Sequence, residues 1–183
     1  MRKQMMAVLM AGMCAGAATL AQAEGLKFLP ILDRDFKAAP TLALTAGGLK
    51  APAGRDDVVA VYGLEFSMNC GLLQTPDNRI RTHVSVNHAN EGGLKYTSVE
   101  LSPRYTMPLG SGFSIGAGPA LAWIKADLGQ GDKDRFGYGA ATGVAYRNGA
   151  YFSGVDLRYL NTERRDDVKL ENWTLMAKVG VNF

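Results

Sequence analysis

The stretch RTHVSVNH (81–88) contains the two histidines of the 183-residue chain, His83 and His88, and places Ser85 close to the first of them. A serine and a histidine backed by a carboxylate can act as a nucleophile and its general base. So short a match is nonspecific, and it also fits a purely structural role for both side chains. His83 and His88 do not predict a metal site, because residues five positions apart on a strand face opposite sides. No nucleotide-binding fingerprint or phosphate loop is present either, so we expect no catalytic residue, metal or cofactor.

A second group of residues with chemical potential is a set of isolated charges. Each stands at an alternate position of a segment with a period of two, on a side that otherwise carries glycine, alanine and serine. Alternate residues of a strand share one face. The sequence therefore places nine titratable side chains on one face of a predicted sheet: Glu65, Arg79, Arg81, His83, Glu100, Arg104, Asp156, Arg158 and Lys178.

Eight segments of the chain show this period of two, and turn residues separate them. Strands of about 9–11 tilted residues are long enough to cross the hydrocarbon core of a bilayer. No segment after the N-terminal region shows a long helical period. The predicted strands run near 40–48, 57–68, 79–88, 95–107, 113–125, 135–146, 151–160 and 172–183.

The side of these strands opposite the charges is apolar, with aromatic residues near the strand ends. A water-soluble sandwich would instead carry polar residues on its outer face. A sheet that is apolar outside and polar or small inside can span a membrane if it closes, since closure leaves no strand edge in lipid. We therefore predict an all-β fold, an eight-stranded antiparallel up-and-down transmembrane β-barrel over residues 40–183.

The predicted connections alternate in length. PLGSG (108–112) and RNGA (147–150) are tight, and the second offers Asn-Gly for a type I′ hairpin turn. Most of the others are longer and more charged. Short periplasmic turns opposite long extracellular loops are typical of outer-membrane barrels, and an even number of strands puts both termini on the periplasmic side. The connection CGLLQTPDN (70–78) breaks the pattern, because it belongs to the short side and is long.

The residues before the first predicted strand divide into two parts. A basic start, an apolar stretch and AQA at 21–23 predict a secretory signal peptide over residues 1–23, and the apolar run is short for a transmembrane anchor. Met13 before Cys14 argues against a lipoprotein signal. Residues 24–39 have no clean period. We interpret them as a periplasmic N-terminal lead, with a membrane-surface amphipathic helix or part of the first strand as alternatives.

The charge and the cysteine content of the chain bear on its possible partners and on disulfide bonding. The formal net charge of the whole chain is +3 at pH 7, which gives no indication of a nucleic-acid partner. Beyond the predicted signal peptide the chain has a single cysteine, Cys70, so an internal disulfide is excluded.

The charges on the inner face need partners. The interior of an eight-stranded barrel is only wide enough for side chains, and an unpaired charge there carries a large desolvation penalty. Strand registers counted from the turns place Arg81 near Glu65 on one neighbouring strand, and near Glu100 or Arg104 on the other.

By the same count Asp156 lies near Lys178. We predict that the inner charges form a paired network that plugs the lumen. A narrow polar conduit or a ligand pocket is the alternative interpretation.

The predicted signal peptide, the eight amphipathic strands and the terminal AKVGVNF (177–183) resemble the small outer-membrane β-barrel superfamily, which includes opacity-type proteins and the outer-membrane protein A and X barrels. In that family the barrel-assembly machinery reads a terminal aromatic residue preceded by apolar residues at alternate positions. The resemblance implies that Phe183, Val181, Val179 and Trp173 form this assembly signal. It also implies that the protein lies in the bacterial outer membrane.

The functions of that family range from adhesion to structural roles. We therefore expect a structural or surface-interaction protein whose partners are outer-membrane lipids and lipopolysaccharide, or an extracellular ligand of unknown identity. Arg164 and Arg165, in the charged loop 161–172, are candidates to contact lipopolysaccharide phosphates. Two alternatives stay open: a small pore, and a lipid-modifying enzyme that uses His83 and Ser85 as outer-membrane lipid A deacylases use such a pair.

Overall fold

The computed structural model describes residues 25–50, 58–91, 94–127, 132–162 and 171–183. Eight of its strands close into one antiparallel barrel. We label them β1 (Thr41–Lys50), β2 (Val58–Asn69), β3 (Ile80–Glu91), β4 (Leu94–Gly110), β5 (Phe113–Asp127), β6 (Asp132–Asn148), β7 (Tyr151–Thr162) and β8 (Glu171–Asn182). The predicted fold class is confirmed, and the predicted strand positions agree with these bounds to within a few residues.

Each strand pairs with its neighbour in sequence, and the last strand pairs with the first. The closing ladder between β8 and β1 runs from Trp173 opposite Lys50 to Asn182 opposite Thr41. Beyond it, the Phe183 N–H donates to the carbonyl of Pro40 at 2.9 Å. Because each strand is paired on both sides, the described part of the barrel presents no open strand edge to lipid.

The alternation of apolar and small or polar residues runs along the whole wall. Large apolar side chains point outward and are exposed, as Leu64, Trp123, Val155 and Leu175 illustrate with half or more of their surface accessible. The residues between them point inward and are buried. A continuous outward apolar band on a closed barrel is the surface that a bilayer covers. Separately, the described ranges contain no helix that is long and apolar enough to cross a membrane.

Two of the three connections at the predicted periplasmic end, β4–β5 and β6–β7, are tight. The β6–β7 hairpin pairs Asn148 with Tyr151, so its two central residues are Gly149 and Ala150. Only the first of these has a positive φ, 57°. This is the pattern of a type II′ turn with glycine at its first central position. The predicted type I′ turn centred on Asn-Gly was wrong, because the strand register continues one residue further than the sequence signal suggested.

The long connection between β2 and β3 is explained by its contact with the N-terminal residues. Lys27–Phe28 and Leu73–Gln74 form a small antiparallel ladder of their own, outside the barrel. A short 3₁₀ turn, Pro30–Leu32, follows the first of these segments, and the Leu29 N–H donates to the Leu72 carbonyl at 2.8 Å. The connection is long because it supplies the second strand of this ladder.

The predicted lead therefore forms neither an amphipathic helix nor part of the first barrel strand in its described portion, residues 25–39. Its C-terminal end is held to the barrel, because the Asn69 N–H donates to the Ala38 carbonyl at 2.8 Å and the Asn69 side-chain amide donates to the Lys37 carbonyl at 2.8 Å. The predicted signal peptide, 1–23, lies outside the described residues and stays a prediction.

Candidate functional site in the barrel lumen

Most of the charges predicted to face the barrel interior lie there. The structure buries eight of the nine inside the barrel: Glu65, Arg81, His83, Glu100, Arg104, Asp156, Arg158 and Lys178. We call seven of them, all except Arg81, the charged tier. The alternation of the strands sets this arrangement, since each of these residues occupies an inward position of its strand.

Glu65, on β2, is the first centre of the charged tier. Its Oε1 accepts from Lys178 Nζ at 2.7 Å, and its Oε2 accepts from Arg158 Nη2 at 2.7 Å. His83 Nδ1 lies 3.0 Å from Oε1. One carboxylate therefore joins three strands, β2, β7 and β8, across the lumen, and adds the adjacent β3 through the histidine.

Asp156, on β7, is the second centre. Its Oδ2 lies 2.7 Å from Arg104 Nη1, 2.8 Å from Lys178 Nζ and 3.3 Å from Arg158 Nη2. The predicted proximity of Asp156 and Lys178 is thus present in the structure. The two centres share Lys178 and Arg158, so the charged tier is one connected network rather than a set of separate pairs.

A glycine makes room for the second centre. Gly143 lies opposite Asp156 on the neighbouring strand β6, and a Cβ at this position would stand 2.1 Å from Asp156 Oδ1. Any side chain here would displace the carboxylate that Arg104 and Lys178 bind. The run of small residues on the inner face of β6 therefore makes space for charged side chains that reach across from other strands.

The predicted contact between Arg81 and Glu65 was wrong. The β2–β3 register puts Ser85 opposite Glu65 and Asn69 opposite Arg81, so the two charged residues are offset by four positions along the ladder. Arg81 instead donates to Asn69 Oδ1 at 3.0 Å and to the carbonyl of Ala39 at 2.9 Å. On its other side it lies opposite Arg104, as one of the two predicted alternatives had it.

Arg79 does not face the lumen. β3 begins one residue later, and the Arg79 side chain lies outside the barrel strands, where its Nε donates to Asp77. Its backbone N–H donates to Thr75 Oγ1 at 2.9 Å. A separate hydrogen bond between the Asp77 carboxyl and the Thr75 side chain, together with the charge of Arg79, holds the pKa of Asp77 below its ordinary value. The prediction that Arg79 faces the lumen was wrong, because residue 79 still belongs to the β2–β3 connection and the strand alternation starts only with β3.

His83 and Ser85 both point into the lumen, where an acyl chain of a membrane lipid would have to enter the barrel to reach them. The His83 ring lies against Glu65, as described above, while Ser85 Oγ accepts from Arg158 Nη1 at 3.1 Å and from Asn87 Nδ2 at 3.2 Å. The serine is therefore a member of the charged network.

His88 points the other way, with Nδ1 2.9 Å from Thr97 Oγ1. Within the described ranges no three His, Cys, Asp or Glu side chains converge as a metal site.

Sequence reasoning missed the packing above the charged tier, towards the extracellular end. Here apolar side chains occupy many of the inward positions, alongside buried polar residues such as Asn87, Ser98 and Arg135. The apolar ones form one buried cluster, which we call the apolar tier: Leu49, Val59, Val61, Ala89, Tyr96, Ala120, Ala122, Ile124, Ala126, Ala141, Leu160 and Met176. The signal was present, since Leu49, Val59 and Val61 interrupt the small and polar residues expected on the inner face. Hydrocarbon packing thus occupies part of the lumen, alongside the charged side chains.

The four residues that the resemblance identifies as an assembly signal lie on the outward face of the barrel. Trp173, Val179 and Val181 of β8 are about half exposed, and Phe183 follows the strand with three quarters of its surface exposed. Trp173 packs against Tyr159 with ring centroids 4.8 Å apart. Arg164 and Arg165, the candidate loop contacts, lie outside the described residues.

The closed wall of eight strands and the outward apolar band define the fold class: this chain is an eight-stranded antiparallel transmembrane β-barrel. The structures it resembles include small barrels from bacteria. Neisserial surface protein A (Neisseria) superimposes with a TM-score of 0.58 and 20% identity, covering 87% of this chain and all of that one.

Two further similar structures are Ail, the attachment invasion locus protein of Yersinia pestis, and the N-terminal β-barrel domain of Pseudomonas aeruginosa OprF. Ail superimposes with a TM-score of 0.51 and 16% identity, covering 81% of this chain and all of that one. The OprF domain superimposes with a TM-score of 0.50 and 14% identity, covering 80% of this chain and all of that one. A second Ail structure contains the heparin analogue sucrose octasulfate. No protein-family model and no curated protein sequence matches the chain.

Proposed function

We propose that this protein is a non-catalytic outer-membrane barrel that acts through its surface, in membrane structure or in surface interaction, while its lumen is plugged. The observation that supports the proposal is the burial of two groups of inward side chains, the apolar tier above and the charged tier below. If the lumen is blocked in this way, partners can reach the protein only at its loops and its outer wall.

The charged tier resists opening for an electrostatic reason. Glu65, Arg158 and Lys178 are all at least nine-tenths buried, and each has a partner of opposite charge within 3 Å. Separating such groups leaves uncompensated buried charges, and removing one partner of a buried pair typically costs about 3–5 kcal/mol. An ion that crossed the barrel would have to break several of these contacts together.

The partners proposed here follow from the outer wall and the loops. The apolar band binds the lipids of the outer membrane, and the terminal strand with Phe183 is the proposed contact for the barrel-assembly machinery. Arg164 and Arg165 are the proposed contacts for a polyanion, with lipopolysaccharide phosphates as the first candidate. The structural resemblance to Ail, which was crystallised with a heparin analogue, agrees with a polyanion as ligand.

Planar-bilayer recording tests the plug. The folded protein should show no steady open channels, because the two tiers block the conduction path. A matched pair of variants sharpens the test: Glu65→Gln disturbs the charged tier, while Glu91→Gln changes an exposed glutamate whose Oε2 accepts from the Ala60 N–H at 2.9 Å. Steady conductance in the unmodified protein would contradict the proposal, whatever the variants show.

Surface binding is tested separately, on the loop. The double variant Arg164→Gln/Arg165→Gln should lose most of its binding to lipopolysaccharide-containing vesicles, while Asp166→Asn/Asp167→Asn in the same loop should keep or increase it. The two variants remove the same number of charges, so a nonspecific effect on the loop would weaken both. Equal binding by both variants and the parent would remove these arginines from the proposal.

A further inference from the structure

The half of the lumen nearer the tight turns contains a cavity that borders the charged tier and has four cationic side chains in its lining. Its volume is about 20 Å³, and its charged and titratable lining residues are Arg81, His83, Arg104, Arg147, Asp156 and Lys178. A buried water needs about 10–15 Å³. A cavity of this volume has room for one compact species.

Three guanidinium groups around this cavity have N–H groups without a partner among the described residues. They are Arg81 Nε, Arg104 Nη2 and Arg147 Nε, and each of these atoms is buried. The Arg81 and Arg104 residues are themselves more than nine-tenths buried. Buried donors without acceptors are rare in folded proteins, because their desolvation is not compensated. Their clustering at one cavity indicates that an acceptor belongs there.

The charge balance of the lumen indicates that this acceptor is negative. In the charged tier and around the cavity, the five cationic side chains Arg81, Arg104, Arg147, Arg158 and Lys178 face three carboxylates, those of Glu65, Glu100 and Asp156. This is a surplus of two positive charges. The surplus lies at the cavity, because the ion pairs of the charged tier involve neither Arg81 nor Arg147.

The two cations at the cavity that lack a carboxylate are held in place by neutral groups. Arg81 donates to Asn69 and to the Ala39 carbonyl, as above. Arg147 donates from Nη1 to Ser114 Oγ at 3.3 Å, and its Cζ lies 5.1 Å from the centroid of the Phe152 ring. These contacts orient the guanidinium groups and leave their charge unneutralised. Arg81 also lies opposite Arg104 on the neighbouring strand, so their mutual repulsion disfavours the empty cavity.

We propose that this cavity is a binding site for a small inorganic anion of the size of chloride, which accepts from Arg81, Arg104 and Arg147 inside the barrel. The volume favours a monatomic anion over phosphate or sulfate, and the N–H donors and positive charge select an anion over water. The proposal goes beyond the surface role proposed above and does not depend on it: a barrel that conducts would overturn the plug and leave the anion site intact.

The direct test uses bromide as the probe. Crystals of the folded, full-length mature protein grown in detergent are soaked in sodium bromide, and anomalous scattering at the bromine edge locates the ion. We expect a peak in the cavity within hydrogen-bond distance of Arg81 and Arg104. An empty cavity at bromide concentrations that label other surface sites overturns the proposal.

A solution test compares sodium chloride with sodium gluconate at equal ionic strength, because gluconate is too large for the cavity. Chloride at about tenfold its Kd should raise the melting temperature by roughly 3–6 °C relative to gluconate. Arg147→Gln removes a cavity charge that has no carboxylate partner among the described residues, and it should abolish this difference. Arg79→Gln, a matched change outside the lumen, should retain it.

These variants also separate anion binding from simple charge repulsion. If the cavity bound no anion, Arg147→Gln would raise the melting temperature equally in both salts, because it relieves repulsion. That result, or an equal melting temperature of the parent protein in chloride and gluconate, contradicts the site. If Arg147→Gln fails to fold, the bromide experiment on the parent protein decides the matter.

Discussion

Replacement of Glu65 by glutamine tests whether the charged tier stabilises the barrel. The change keeps the shape of the side chain and removes one negative charge from a group whose partners, Lys178 and Arg158, both lie 2.7 Å away. Glutamine can still accept through its Oε1, but its Nε2 is a donor and cannot replace the oxygen that binds the second cation. It cannot compensate two buried positive charges.

The expected loss of unfolding free energy depends on the ion pairs that Lys178 and Arg158 retain in the variant. Breaking a buried ion pair by removing one partner destabilises a protein by about 3–5 kcal/mol. Lys178 and Arg158 both retain Asp156, at 2.8 Å and 3.3 Å, and this shared carboxylate limits the loss. We therefore expect Glu65→Gln to lower the free energy of unfolding by about 3 kcal/mol, at the lower end of that range.

The assay is urea unfolding of the barrel in lipid vesicles, followed by tryptophan fluorescence and by the change in gel mobility on heating. Glu91→Gln is the matched control, and because its side chain is exposed it should change the unfolding free energy by no more than about 0.5 kcal/mol. Adding Lys178→Gln to Glu65→Gln removes one of the two cations that have lost Glu65, so the double variant should be more stable than the sum of the single effects by about 1–2 kcal/mol. If Glu65→Gln destabilises the barrel no more than Glu91→Gln does, the charged tier does not stabilise it and our reasoning fails.

Three further predictions concern other residues. Gly143→Ala should destabilise the barrel by about 1–3 kcal/mol, because its Cβ would stand 2.1 Å from Asp156 Oδ1, whereas Gly116→Ala, whose Cβ would have 3.3 Å to its nearest neighbour, should lose less; urea unfolding compares them. Phe183→Ser should reduce the yield of assembled barrel in cells more than it reduces the unfolding free energy of purified barrel, and equal losses in both would argue against an assembly signal. His83→Ala and Ser85→Ala should leave the lipid A and phospholipid composition of the membrane unchanged, as mass spectrometry of extracted lipids can measure; a change in lipid composition caused by either variant in a barrel that still folds would favour the enzyme alternative.

The wall of the barrel could be predicted from the sequence because the signal is local. A period of two assigns each residue of a strand to one of two faces, and a one-residue error would move every apolar side chain to the wrong face. This is why the inward direction of Glu65 or Lys178 could be predicted without knowing its neighbours. The predicted contact between Asp156 and Lys178 followed from the same logic, since both residues take inward positions on adjacent strands and are offset by only two positions in the register.

The contacts that were predicted wrongly depend on information that is not local. The partner of Arg81 is set by the offset between β2 and β3, and the long connection between them hides that offset. The connection in turn takes its shape from the N-terminal ladder of Lys27–Phe28 with Leu73–Gln74, a pairing across more than forty residues. The apolar tier was missed for a different reason: an apolar inward residue is unexpected only once the position of the lumen is known.

The contact between Phe183 and Pro40 has a consequence for how the chain is threaded. Since the last residue bonds to the residue before the first barrel strand, the wall has no beginning or end in space. The same wall could be traced from another break point, such as the turn at Gly149 and Ala150. A circularly permuted chain opened there would retain every strand pair but would have a different residue at its C-terminus. Such a chain would show whether assembly depends on the closed geometry of the barrel or on the identity of the terminal residue.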